Sequence, residues 1–264
     1  MKIGAMNNPR NDPLEELAIF SDFGLDYIDL TIEAPEARPE KIAGMAGRIR
    51  KELTEHGMSI VCHMPWFLQI TSPYDSIRKA CVEEAQKVIE VAASLEAPHV
   101  TIHPDFLVLH RPKERIRELT HDSLAILADT ARDAGTRVSF ENFEKAHVST
   151  DTMADIFRHL PELGFTLDVG HAFMGSKSIE HVRNLVKSFR DRLVHVHLHD
   201  NFGHLDDHLP LGAGKIDYRQ VLEMIGKAGY DGTFTLEIHS QDRDYIRISK
   251  EKLEGLWSSV NGVA

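Results

Sequence analysis

The chain has 264 residues, 42% of them hydrophobic and 27% charged, with a formal net charge of −11. That length can bury one large α/β core, and no apolar run approaches the roughly 20 residues needed to span a bilayer. The acidity disfavours nucleic acid as a partner, because nucleic acid is gripped through a basic footprint, unless a local groove or bound metal offsets it.

Strand-like and helix-like patterns alternate from end to end. In chain order, strands are expected at 2–6, 26–32, 58–63, 99–103, 137–141, 164–168, 192–198 and 232–237. Helices are expected at 13–22, 39–56, 75–96, 112–134, 151–160, 178–190, 217–228 and 242–257. In the third helix Val82, Ala85, Val88, Ile89 and Ala92 share one face. Gly135 and Pro161 stand where the fourth and fifth helices should stop. Cys62 and Cys81 build no disulfide framework and are expected as buried, reduced thiols. The N-terminus MKIGAMNNPRND lacks the apolar core of a secretory signal, so the cytoplasm is the expected compartment.

Eight such units of about 33 residues each predict a parallel sheet, every helix supplying a crossover. No linker or low-complexity segment interrupts them, and no Gly-x-Gly-x-x-Gly follows strand one. The expectation is one domain over 1–264, a closed (β/α)8 TIM barrel, with an open doubly wound sheet as the alternative.

Chemistry in such a barrel gathers at the C-terminal ends of the strands. Those positions carry His63, His103, Glu141 and Asp168 with His171 just beyond, then His197 and Glu237. The connector after His197 adds Asp206 and His208 within HLHDNFGHLDDHLPLGAG. A connector that long is usually functional or disordered, and its Leu205, Leu209, Leu211 and Pro210 argue for order. Taken singly, each of these residues reads as a hydrogen-bonded His or a helix cap. Together, four carboxylates on one partly buried rim would repel one another, and divalent cations remove that conflict. The donors are all N and O, which favours Zn, Mn or Fe over Mg or Ca. Nine donors exceed the needs of one ion, so one to three ions per chain are expected.

The other histidines are expected elsewhere. His56, His121, His159 and His181 fall in helices and should be solvated, and His99 begins its strand. His195 and His199 alternate with His197 and share its strand face, His195 lying deeper as a packed group.

The segments CHMPWF, IHPDF, FENF, LDVGHAF, VHLHDN, DDHLPLGAGKID and LEIH, in this order and spacing, resemble the xylose isomerase-like TIM barrels. That family comprises sugar and sugar-phosphate isomerases and epimerases, with endonuclease IV as its DNA-repair branch. The resemblance covers essentially the whole chain. The isomerase pattern implies one catalytic cation on Glu141, Asp168, His197 and Glu237. The endonuclease IV pattern implies three zinc ions: one on His63, His103 and Glu141, a second on Glu141, Asp168, His197 and Glu237, and a third on His171, Asp206 and His208. Departures from that branch at Asp105, Phe143, Glu144, Lys145 and the AFMGSK segment are expected to add charge and bulk where DNA would approach.

The favoured function is therefore a divalent-metal-dependent isomerase or epimerase of a sugar, sugar phosphate or related polyol. Glu141 and Glu237 would exchange the proton, Trp66 and Phe67 would stack on the sugar, and Lys215 and Arg243 would meet a phosphate. The alternative is a zinc phosphodiesterase acting at abasic sites in DNA. No membrane partner is expected, and the oligomeric state is left open.

Overall fold

The computed structural model describes residues 1–105, 113–143, 149–174 and 176–262. Expectations that rest on Phe106, on residue 112, on Glu144 and Lys145, and on Gly175 lie outside the described residues. Eight strands run β1 (Lys2–Met6), β2 (Tyr27–Thr31), β3 (Ser59–His63), β4 (Val100–Ile102), β5 (Val138–Glu141), β6 (Gly164–Asp168), β7 (Leu193–Leu198) and β8 (Thr233–Leu236). Their order is β1 through β8 in a closed barrel, the TIM-barrel topology predicted from the alternation of elements.

The intervening helices are α1 (Pro13–Asp22), α2 (Pro39–His56), α3 (Asp75–Ser94), α4 (Lys113–Ala134), α5 (Thr150–His159), α6 (Val169–Phe173), α7 (Ile179–Phe189), α8 (Tyr218–Lys227) and α9 (Asp244–Asn261). Most start where a side chain satisfies a helix's orphan N–H groups, a contribution of about 1 kcal/mol each. Asp12 accepts from Leu14 N ahead of α1, Ser149 from Thr152 N ahead of α5, Ser178 from Glu180 N ahead of α7, and Asp217 from Gln220 N ahead of α8. α2 opens on Pro39 and ends at Gly57, whose φ of 65° is the left-handed cap that glycine adopts without strain. Its buried Ile42, Ala46, Ile49 and Leu53 form one helical stripe. No helix among the described residues is long and apolar enough to cross a membrane.

Two compact units can be distinguished, Asn7–Gly164 and Phe165–Ala264 with Met1–Met6. In the first, β2 pairs with β3, β3 with β4 and β4 with β5, all parallel, with His63 level with Thr101. In the second, β6 pairs with β7 and β7 with β8, which aligns Asp168, His197 and Thr235 in one row. β1 closes onto β8 through Ala5 and Leu236. Every residue of β2 and β6 is buried, as expected for parallel strands covered on both faces.

The differences from expectation are local. His103 and Glu237 stand one residue past the ends of β4 and β8. α6 was not foreseen: it is a single turn of five residues, too short to show a period, and it starts because Asp168 accepts from His171 N at 2.6 Å. α9 runs four residues further than its pattern, to a left-handed glycine cap at Gly262. Cys62 is buried as expected, but Cys81 is only half-buried.

Candidate metal centre

In the first unit, His63, His103 and Glu141 come together at the ends of β3, β4 and β5. His63 donates its Nδ1 proton to the Met64 carbonyl at 2.7 Å, which leaves Nε2 to face Glu141. That Nε2 lies 3.4 Å from Glu141 Oε2, and His103 Nε2 lies 3.3 Å from the same oxygen. Two ligands about 2.0–2.1 Å from a tetrahedral zinc ion stand about 3.3 Å apart, so these are donor–donor spacings. Glu141 is fully buried, and an uncompensated carboxylate there would carry a heavy desolvation cost. A bond from the far ring nitrogen to a carbonyl is the arrangement that fixes a metal-binding tautomer.

Loops around this cluster are held from within. Asp105 is buried and accepts from Ile70 N at 3.1 Å, from Thr71 N at 2.7 Å and from the Thr71 hydroxyl. It therefore anchors the segment after β3 and presents no charge outward, a correction to the expectation from sequence. Phe143 is likewise buried and lies over the His103 ring, centroids 6.3 Å apart. Trp66 and Phe67, 56% and 49% exposed, meet edge to face at 5.9 Å on the anchored segment. Glu33 lies nearby; partial burial raises its pKa, against the lowering pull of the Trp66 N–H and of His63.

In the second unit, Asp168, His197 and Glu237 form one group, and His171, Asp206 and His208 form another. His197 Nδ1 is 2.9 Å from Glu237 Oε1 and 3.8 Å from Asp168 Oδ2. His171 Nε2 is 3.2 Å from Asp206 Oδ2, and His208 Nε2 is 3.4 Å from Asp206 Oδ1. Burial would push the Asp206 carboxyl up, but its bonds to His171 and His208 outweigh that and hold it far below the usual carboxylate range. Burial lowers the His208 pKa, and Asp206 and Glu237 more than reverse this, leaving it raised. His208 has a φ of 45°, a strained conformation for a residue with a side chain, of the kind that clusters at functional sites.

Asp200 makes that strained loop possible. Its fully buried carboxylate accepts from Asn201 N, Gly212 N and Ile216 N at 2.8–3.1 Å, folding 200–216 around one charge. Gly214 is required there, since a Cβ would lie 2.4 Å from both Asp200 Oδ1 and Asn201 O. Asn201 ties the loop to α6 by donating to Gly170 O at 2.9 Å.

The structure thus gathers all nine expected donors into clusters within their own units. His195 packs as expected, its two ring nitrogens 2.7 and 3.0 Å from the hydroxyls of Thr233 and Thr235. Lys215 is exposed and Arg243 is half-buried just before α9. His56 and His159 are exposed, but His121 and His181 are half-buried. His121 and His159 share Asp155, which Arg158 also holds at 2.9 Å, a surface ion-pair cluster. Two residues stand at the site beyond the nine expected donors. His199 is fully buried among His171, Asp206 and His208. His239 stacks on His208 with centroids 4.0 Å apart, and burial with the neighbouring His208 lowers its pKa to about 4. The signal for both was strand alternation, His199 two residues after His197 and His239 two after Glu237.

A closed parallel barrel with N/O donors within one residue of the C-terminal ends of six of its strands defines a class of barrels with candidate metal sites. The chain belongs to the xylose isomerase-like TIM barrel family, whose model matches residues 17–257. Uncharacterized protein MJ1311 of Methanocaldococcus jannaschii is 30% identical over 213 residues, 77% of this chain and 72% of that one. A probable endonuclease 4 of Mycobacterium leprae is 24% identical over 213 residues, 75% of this chain and 80% of that one. Among solved structures, a D-tagatose 3-epimerase-like protein superposes with a TM-score of 0.86 at 26% identity, covering all of both chains. The IOLI protein with a binding zinc atom superposes at 0.82 with 17% identity, over 98% of this chain and 99% of that one.

Proposed function

We propose that this protein is a divalent-metal-dependent isomerase or epimerase of a small sugar, sugar phosphate or related polyol. The observation that carries the reading is the group of Glu237, His197 and Asp168: a buried carboxylate just past β8, 2.9 Å from an imidazole nitrogen near the end of β7. The donor set fits Zn, Mn or Fe, because it is mixed imidazole and carboxylate without thiolate. Bound there, such an ion supplies Lewis acidity, polarising a carbonyl and acidifying the carbon-bound proton beside it. Glu237 and Glu141 are the residues assigned to carry that proton, each a buried carboxylate ending a barrel strand beside an imidazole. Trp66 and Phe67, exposed on a loop that Asp105 anchors, suit stacking on the apolar face of a sugar ring. Lys215 and Arg243 are assigned to a phosphate when the substrate carries one.

A second reading, a zinc phosphodiesterase acting at abasic sites, is supported by the nine filled donor positions and by the likeness to probable endonuclease 4. The inward turn of Asp105 and Phe143 removes part of the case against it.

The test is metal-replete protein in deuterium oxide with a panel of ketoses and ketose phosphates, and separately with an abasic-site duplex. Deuterium is expected at the carbon next to the sugar carbonyl, reduced by about 10²–10⁴-fold in Glu237→Gln. Duplex nicking that Glu141→Gln abolishes, with no deuterium entering any sugar, would overturn the isomerase reading.

A further inference from the structure

His199 is the one fully buried histidine of the loop cluster to which the expected ligand pattern gives no task. Neither of its ring nitrogens makes a hydrogen bond. Its Nε2 stands 3.6 Å from Asp206 Oδ1 and 3.3 Å from Asp168 Oδ1. Asp206 is therefore ringed by three imidazole Nε2 atoms, those of His171, His199 and His208, at 3.2, 3.6 and 3.4 Å. All four residues offer ligand atoms within 4.8 Å of one another. The ring of His199 lies so close over Gly170 that a Cβ there would sit 2.1–2.5 Å from its Cε1, Nε2 and Nδ1, so glycine makes room for it. A buried imidazole with no hydrogen bond is costly unless something else engages it.

We propose that His199 is a fourth protein ligand in this cluster, so that an ion held by His171, His199, Asp206 and His208 has a closed coordination shell. Closed four-donor sites are structural, whereas catalytic ones keep a position for water or substrate. The ion in this cluster would then staple the 199–217 loop and take no part in the chemistry. The inference rests on the metal-binding part of the proposed function, and a phosphodiesterase needing an open third ion would be excluded by it. The His199 and His208 rings are stacked at 4.0 Å and 16°, and lone pairs lie in the ring planes. Both can meet one ion only if one ring turns, and for His208 that turn must give way in its bond to the Glu237 carbonyl and its stack on His239, while His199 is locked against Gly170.

The test measures metal retention and does not use turnover. Wild type, His199→Asn, His199→Cys and Asp206→Asn are loaded with zinc, dialysed against a competing chelator, and assayed for zinc by elemental analysis, with circular dichroism reporting the fold. His199→Asn is expected to lose one zinc per chain, as Asp206→Asn does, while His199→Cys keeps it because a thiolate replaces the donor. Full retention by His199→Asn overturns the proposal. So does equal loss from the Asn and Cys variants, which would make the ring a packing element, and so does a wild type that holds no zinc in this cluster. If no sugar exchanges deuterium while this pattern of retention is found, the functional reading fails and the assignment of His199 stands.

Discussion

His208 donates its Nδ1 proton to the main-chain carbonyl of Glu237 at 3.1 Å, while its own carbonyl accepts from His239 N at 3.0 Å. The loop that brings Asp206 is thus clipped to the exit of β8, and the tautomer of His208 is set with Nε2 toward Asp206. The carboxylate of Glu237 and the ring of His208 are oriented by the same short stretch of backbone.

Metal removal should destabilise the protein as well as silence it. A ligand that binds only the folded state adds about 4 kcal/mol when its free concentration is 1,000 times Kd. Zinc-replete and chelator-treated protein compared by thermal melting should differ by several degrees, and equal melting temperatures would contradict metal binding by these clusters.

Trp66 and Phe67 are exposed, so their loss should spare the fold and weaken substrate binding. Trp66→Ala and Phe67→Ala are expected to change stability by no more than about 0.5 kcal/mol. KM for the sugar should rise about tenfold, the loss of one good stacking contact. Steady-state kinetics beside a denaturant titration separates the two effects.

Asp200 supports the ligand loop without joining the donor set. Asp200→Ala strands three main-chain N–H groups, two of them buried, and is expected to cost about 3 kcal/mol. Urea unfolding measures that loss, and chelator-competed zinc content should fall with it, since Asp206 and His208 hang from the same loop.

Tyr230 gives a pH signature at the alkaline end. Burial raises its phenol to about 12, against the lowering effect of the Thr233 hydrogen bond. A folded pKa raised from the ordinary 10 favours the neutral phenol in the native state. The resulting stability is fully present below pH 10 and is lost as pH climbs to about 12. The loss amounts to about 2–3 kcal/mol over that window. Tyr230→Phe should flatten this decline, measured by denaturant titration at pH 9 and pH 12.

The barrel and the strand-end donors were legible because both rest on local pattern. His63, Glu141 and Asp168 each close a strand-like run, and His197 stands one residue before the end of β7. What was not legible depends on direction or on distant partners. Asp105 and Phe143 read as outward charge and bulk, yet one is consumed by Ile70 and Thr71 and the other covers His103. The three main-chain donors of Asp200 come from 1, 12 and 16 residues away, so nothing in its immediate sequence marks it as the loop's centre. His239 lies within LEIH but carries no expected role, because its stacking partner is 31 positions earlier in a loop without a period.

The donors fall on the chain in two consecutive blocks. His63, His103 and Glu141 all precede residue 165, and Asp168, His171, His197, Asp206, His208 and Glu237 all follow it. A chain being synthesised therefore carries every donor of the first cluster before the first donor of the second is added.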